Sequence, residues 1–199
     1  MLDALIQLAR TYRRFDASYL VDETVLLRLV NLARLSPSSG NKQAIRFAPV
    51  NDPADCDAIF ESLLWAYSLP DWPGPAREER PTAYIVLLRD DALGADVSHD
   101  AGIAAWSMVL GATERGLGAC IFASADQDRF RKILSLPPTM SVELVLAVGK
   151  PVEEVVLEEM LPGESFEYWR DEANSHHVPK RRLEDVLWNY EQDTPNPDN

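Results

Sequence analysis

The sequence predicts a layered domain in which helices and strands alternate, followed by a long C-terminal extension. Three observations carry this prediction. An apolar stretch at residues 99–118, near the middle of the chain, has the length of one long helix. Short apolar strands flank it at residues 45–50, 83–88, 119–123 and 142–148. After residue 151 the composition changes and glutamates accumulate. Alternating helices and strands are typical of layered α/β architectures.

The helix at residues 99–118 organises the prediction. It would be about 30 Å long at 1.5 Å per residue. Between residues 101 and 112 the single polar residue is Ser107. A helix that is apolar all round must be buried on every side. Because many of its residues are glycine or alanine, another backbone can approach it closely. We therefore expect it at the centre of the fold and in the seam of a dimer.

The other elements follow from periodicity, caps and breakers. Asp22 caps a helix that Ser36 and Pro37 end, and Pro53 opens a helix that runs to about Tyr67. Further helices are expected at residues 3–10, 126–134 and 183–190. The proline-rich stretch at residues 69–75 is predicted to be a loop or lid.

The C-terminal part is predicted to be one weakly ordered arm that is acidic at first and becomes basic near its end. Glutamates dominate first, and the sequence His-His-Val-Pro-Lys-Arg-Arg follows at residues 176–182. We expect residues 191–199 to be a disordered tail. Residues 1–190 are interpreted as a single domain, with an arm at about 152–190.

Composition excludes several classes of function. The formal net charge of −13 disfavours general binding to nucleic acids and anionic membranes. Cys56 and Cys120 lie far apart without metal-ligand spacing, which favours a reducing compartment and no structural metal. The first residues lack the pattern of a signal peptide. These observations predict a soluble, cytoplasmic protein.

Three patches are candidates for chemistry, each with a structural alternative. Arginines at residues 10–14 and the basic run at 180–182 would form a phosphate clamp, or else two solvated faces that pair with glutamates. The loop of residues 37–43 carries donors and acceptors suited to a heterocycle, or is an ordinary helix-to-strand connection. The strand after Gly116 and Gly118 would present backbone N–H groups at its far end, or is a glycine-capped helix feeding a core strand.

Other candidates are weaker. His176 and His177 could bind a metal, but no third ligand has matching spacing. His99 fits a satisfied polar residue at a helix start better than a base. Cys120 lies in an apolar strand, where a thiol is inert. We predict no catalytic side chain and no metal ligand.

Taken in order, these stretches resemble the flavin-dependent nitroreductase family. The matching segments are RTYRRF at 10–15, ARLSPSSGNKQ at 33–43 with the following Arg46 and Phe47, DAGIAA at 100–105, residues 110–118 with their Gly-Leu-Gly ending, VLAVGKP at 145–151 and VPKRRL at 178–183. Each segment is weakly specific, but their order is specific and covers nearly the whole chain.

The resemblance implies an α+β fold, specifically a three-layer α/β/α sandwich with a long central helix and a C-terminal extension. It also implies a homodimer that binds two molecules of flavin mononucleotide (FMN) between its subunits, with NADH or NADPH as electron donor. The C-terminal arm would then reach the partner subunit. In such enzymes the chemistry belongs to the cofactor and the protein supplies position and electrostatics.

The family's binding residues carry over to matching positions. Arg10, Thr11 and Arg13 match the motif that holds the FMN phosphate, and Lys180 and Arg182 match a C-terminal basic pair that joins it. The remaining matches are the residues along the flavin ring, Pro37, Ser38, Ser39 and Asn41, and the backbone segment facing its reactive nitrogen, Ala123 and Ser124.

Three functions are therefore considered. The first is an FMN-dependent oxidoreductase that uses NAD(P)H to reduce nitroaromatics, quinones or similar small acceptors by a ping-pong mechanism. The second is a non-catalytic flavin-binding or redox-sensing protein of the same fold, because Ala123 and Ser124 replace a common Glu-Gly pair of the family. The third is a dimeric scaffold without flavin.

Overall fold

The computed structural model describes residues 2–93 and 96–188. They divide into two units, and the boundary along the chain falls between Glu153 and Glu154. The first unit contains five helices in its described part, α1 (Leu2–Leu8), α2 (Glu23–Leu35), α3 (Pro53–Phe60), α4 (Ser98–Glu114) and α5 (Gln127–Ile133). Its strands are β1 (Ile45–Val50), β2 (Ala83–Asp90), β3 (Gly118–Phe122) and β4 (Met140–Gly149). All four predicted strands are confirmed, with ends that differ by up to two residues.

The four strands form one sheet in the order β1-β2-β4-β3, and every neighbouring pair is antiparallel. Residues 83–88 of β2 are buried because both faces of the sheet are covered. Ile85 and Leu87 pack in one cluster with α2 and α4. Tyr84 and Val86 pack in a second cluster with α3 and α5. The predicted three-layer α/β/α arrangement of an α+β fold is confirmed.

The central helix α4 is shorter than predicted and is not buried all round. It ends at Glu114, and Gly116 follows in the left-handed region with φ +67°. Its Ala101 and Met108 are fully buried, but Ile103 is 42% exposed and Trp106 38% exposed. Within this chain α2 and the sheet cover one side of α4, so the prediction of burial on every side is wrong for the single chain.

Helix α3 also stops early, at Phe60 rather than near Tyr67. Trp65 then turns into the core, where its ring lies 5.1 Å from that of Phe60 and 4.7 Å from that of Phe122. Ala66 adopts a left-handed φ of 52°, which is incompatible with a continuing helix. Aromatic packing across the domain therefore overrides the local helical pattern.

The second unit corrects the prediction of a weakly ordered arm. It contains β5 (Val155–Met160), β6 (Trp169–Arg170), β7 (His176–Arg181) and the short helix α6 (Leu183–Val186). Strand β7 lies between β5, to which it is parallel, and β6, to which it is antiparallel. Composition missed this sheet because its main pairing joins segments about twenty residues apart and strand pairing is long-range. The predicted tail at 191–199 lies outside the described residues.

No helix in the described ranges has both the length and the apolar character needed to cross a membrane.

Candidate functional site

The connection between α2 and β1, residues 36–44, has an unusual backbone and is called the α2–β1 loop below. Its residues Ser39–Asn41 form a short 3₁₀ turn. Gly40, Asn41 and Gln43 all have left-handed φ values, of 57°, 54° and 51°. Glycine adopts this region freely and asparagine tolerates it, but glutamine rarely does. The surroundings must therefore impose this conformation.

Helix α4 holds the loop at two points. The backbone N–H of Ser39 donates to both carboxylate oxygens of Asp100, at 2.9 and 3.1 Å. Asp100 lies in the first turn of α4 and is only 6% exposed. About two turns further along, the hydroxyl of Ser107 lies 2.7 Å from the hydroxyl of Ser36. The loop is thus fastened to the most buried helix of the unit.

A cavity of about 330 Å³ opens beside this loop. Its polar lining comes from Arg34, Ser36, Ser38, Gln43, Arg46 and Asp100, and its apolar lining from Val30, Ala33, Ala44, Ile45, Phe47 and Ala104. Apolar walls with a few placed polar groups are typical of small-molecule sites. Of the predicted ring-binding residues, Ser38 lines the cavity, and Pro37, Ser39 and Asn41 belong to the same loop.

The predicted phosphate motif runs along the edge of the sheet. Thr11 forms a bridge with Ala119 of β3, and the next N–H, of Tyr12, donates to the Ala119 carbonyl at 3.0 Å. The guanidinium of Arg10 donates to the carbonyl of Ile6. Its Nε is buried and has no hydrogen-bond partner among the described residues. Arg10 therefore keeps an unused donor.

Two carboxylates organise the rest of this motif. Glu153, only 8% exposed, accepts the backbone N–H groups of Arg13 and Arg14. The guanidinium of Arg14 donates to both oxygens of Glu79, at 2.7 and 2.5 Å. This pairing raises the pKa of Arg14. Arg14, one of the arginines of the candidate clamp, is thus paired with a carboxylate of the same unit.

Ala123 and Ser124 follow β3 and are exposed. Ser124 lines a different cavity, of about 390 Å³, together with residues of the segment after α3. The structure therefore places Ser38 and Ser124 in separate cavities of one chain. The thiol of Cys120 in β3 is buried, which raises its pKa to about 12, and the predicted core position of this residue is confirmed.

Lys180 and Arg182 belong to the second unit. Lys180 is exposed in β7, opposite Glu159 of β5. Arg182 forms a forked pair with Asp185 at 2.8 and 3.1 Å, which raises the pKa of Arg182. Their joining of the motif at residues 10–13 stays a prediction.

Sequence reasoning missed two carboxylates that shape the candidate site, Asp100 and Glu153. Asp100 had a detectable signal, because an acid next to a long apolar run is unexpected unless it has a partner. Glu153 had none, since it stands among other glutamates and its partners lie near the start of the chain.

The structure is an α+β sandwich with a cavity beside the α2–β1 loop, and comparison with known proteins identifies its family. This chain belongs to the nitroreductase family, whose model matches residues 6–150. A 5,6-dimethylbenzimidazole synthase from Rhodospirillum rubrum is 30% identical over 184 residues, covering 80% of this chain and 86% of that protein.

Solved structures agree on the fold. A putative nitroreductase from Desulfovibrio desulfuricans in complex with FMN superimposes with a TM-score of 0.66 at 20% identity and covers 98% of both chains. An FMN-dependent nitroreductase from Clostridium difficile gives a TM-score of 0.60 at 24% identity, covering 74% of this chain and 87% of that one. At these identities the likeness establishes the shared fold.

Proposed function

We propose that this protein is an FMN-dependent oxidoreductase that takes electrons from NADH or NADPH and passes them to small acceptors such as nitroaromatics or quinones. Membership of the nitroreductase family is the observation that carries the proposal. The FMN named for two solved structures of the same fold supports the choice of cofactor.

The residues present fit a flavin phosphate and ring. The unused Nε donor of Arg10 is a buried polar atom that a phosphate oxygen would satisfy. Arg forks and a threonine hydroxyl are suited to phosphate. In our assignment Arg10, Thr11 and Arg13, joined by Lys180 and Arg182, hold the phosphate. Pro37, Ser38, Ser39 and Asn41 lie along the ring, and Ala123 and Ser124 face its reactive nitrogen.

A homodimer would unite the separate parts of this site. Ser38 and Ser124 line different cavities of one chain, and a second subunit could bring both kinds of residue to one flavin. The exposed apolar side chains Ile103 and Trp106 on α4 suit such an interface. We propose that this face of α4 is the dimer seam. Light scattering of the purified protein tests for the dimer, and its loss in the variant I103D/W106D would test the seam.

In this proposal the cofactor and the protein have separate roles. When bound, FMN supplies the electron transfer, in two half-reactions that use the same site in turn. The chain's residues bind and orient the flavin, and the apolar wall of Ala33, Phe47 and Ala104 excludes water from one side of the cavity. No side chain is assigned as acid, base or nucleophile.

The first test is an absorbance spectrum of the purified protein, followed by acid release and mass measurement of whatever comes off. We expect a yellow protein that releases FMN and oxidises NADH or NADPH in the presence of a quinone or nitroaromatic. The double variant R13A/K180A should lose FMN, while the control variant R28A, on the exposed face of α2, should keep it. A colourless protein that refuses added FMN would refute the proposal and favour a scaffold without flavin.

A second candidate reaction is favoured by the Rhodospirillum rubrum relative, whose name describes synthesis of 5,6-dimethylbenzimidazole. Incubating the protein with reduced FMN in air and searching the products for that compound by mass spectrometry tests this candidate. Formation of the compound without turnover of NAD(P)H would replace the first proposal. FMN binding with neither reaction would favour a non-catalytic, redox-sensing role.

A further inference from the structure

We propose that Asp100 is a positioning residue, which holds the α2–β1 loop in the conformation that contacts the ligand. The identity of that ligand rests on the proposed function, whereas the effect of Asp100 on the loop does not. The inference combines three observations: the backbone of the loop, the anchoring of Ser39, and the packing of α2 on α4.

The loop does not hold its conformation by itself. Gln43 has a left-handed φ of 51°, which a residue with a long side chain adopts only when surrounding structure dictates it. The bonds within the loop are local: Asn41 N–H donates to the Ser38 carbonyl at 2.9 Å, and Gln43 N–H reaches the Ser38 hydroxyl at 3.3 Å. These bonds set the curvature of the loop but do not fix it to the rest of the domain.

Asp100 provides an anchor from outside the loop. Its carboxylate receives the Ser39 N–H on both oxygens, and hydrogen bonds to ionised groups are stronger than neutral ones. The group is 6% exposed, so water does not compete effectively for the same oxygens. Ser39 immediately precedes Gly40, where the left-handed stretch begins. Asp100 thus fixes the backbone just before the strained segment.

Helix α4 is a rigid base for this anchor. A Cβ added to Gly111 would lie 2.3 Å from the Leu32 side chain, so the two helices pack closely there. The hydroxyl pair of Ser36 and Ser107 fastens the first residue of the loop to the same helix. The end of α2 and the start of the loop are therefore held on one side of α4, at Ser107 and at Asp100.

The anchoring of the loop by Asp100 also affects the cavity. Asp100 lines it beside Ser38 and Gln43, but its carboxylate is engaged with the Ser39 backbone. The geometry therefore assigns Asp100 to positioning and not to proton transfer. Its removal should let the loop sample other conformations and should weaken every ligand contact that the loop makes.

The test uses the variants D100A and D100N in the full chain, with D96A as the matched control. Asp96 also stands at the start of α4, where its carboxylate accepts the N–H and hydroxyl of Ser98 and makes no hydrogen bond to the loop among the described residues. Two quantities are measured: hydrogen exchange of residues 36–44 without flavin, and the Kd for FMN of the flavin-free protein.

We expect D100A to accelerate exchange in the loop and to raise the Kd about 10-fold or more, the size of one hydrogen bond to a charged group. D100N keeps one acceptor, so its effects should be intermediate, at about 3-fold. D96A should leave both quantities unchanged. If D100A fails to fold, the D100N result decides.

Three results would overturn the inference. D100A could match the wild type in both quantities, which would show that the loop needs no anchor; if D100A does not fold, a D100N variant that matches the wild type in both quantities would count against an anchor that depends on the charge. D100N could weaken FMN binding and loop protection as much as D100A does. D96A could do so as much as either variant. Both results would assign the effect to negative charge at the start of α4. Failure of the wild type to bind FMN would refute the proposed function instead, and the exchange measurement would still test the role of Asp100.

Discussion

The two sheets of this protein are stabilised by different interactions. In the first unit, Ile85 of β2 pairs with Leu146 of β4, and both side chains are fully buried. In the second unit, His176 is the one buried residue of the described range 154–188, and all other strand positions are half-buried or exposed. The first sheet depends on the hydrophobic effect, which is the dominant favourable term in folding.

The second sheet depends on polar contacts instead. Its His177 is held between the carboxylates of Glu158, at 2.7 Å, and Asp171, at 3.3 Å. The ring of Trp169 stacks on the imidazole with centroids 4.1 Å apart. The first sheet is therefore held mainly by apolar packing, whereas the second contains side-chain contacts that depend on the protonation of His177. The changes proposed next probe apolar and polar contacts in the two units.

The largest effect is expected from Leu146→Ala, in the centre of the first sheet. Removing a fully buried leucine side chain leaves a cavity and should lower the free energy of unfolding by about 3 kcal/mol. Leu157→Ala is the matched change in the second sheet, where the side chain is 40% exposed. It should cost less than about 1 kcal/mol. Urea unfolding followed by circular dichroism measures both, and equal losses would contradict the contrast.

A smaller effect is expected from Glu79→Gln, which removes the carboxylate of an ion pair in the first unit. The Arg14 and Glu79 side chains are 22% and 25% exposed and form a forked pair. Its loss should cost about 1 kcal/mol, the upper end for pairs that water partly screens. Arg77→Gln is the control, because Arg77 is 82% exposed in its pair with Asp57. If the two variants shift the urea midpoint equally, the Arg14–Glu79 pair has no special role.

The smallest effect is a dependence on pH confined to the second unit. Burial opposes the charged form of His177, but hydrogen bonds with Glu158 and Asp171 outweigh it and raise the pKa of the imidazole. The pKa of Asp171 is lowered by the Ser175 N–H and by His177, so this carboxylate stays charged in the same range. The stabilisation is therefore complete below the unfolded pKa of about 6.5 and is lost as the pH rises through the folded pKa.

Hydrogen-exchange protection factors of β5 and β7 between about pH 5.5 and 8 measure this loss, because they remove the intrinsic pH dependence of amide exchange. That range brackets ordinary histidine titration. His177→Gln should remove the dependence, whereas replacement of the exposed His99 should not. Protection from exchange in β2 should not change with pH over the same range. A pH profile shared by both sheets would contradict the assignment to His177.

Local patterns predicted much of the first unit. The strands at 45–50 and 83–88, the cap at Asp22 and the central helix all depend on neighbouring residues, and the structure confirms them within a few positions. The order of short motifs also indicated the nitroreductase family, which the match to residues 6–150 confirms. Periodicity and caps act over a few residues, so they can be read directly along the chain.

Tertiary structure alone decided the rest. Trp65 leaves its helical pattern because Phe122 offers it an aromatic neighbour. Arg14 is bound to Glu79 while Arg10 keeps a free Nε donor, although both belong to one basic run. Asp100 acquires its role from Ser39, a residue far from it in sequence. Such pairs form between distant segments, and no local pattern specifies which arginine or which carboxylate will find its partner once the chain is packed.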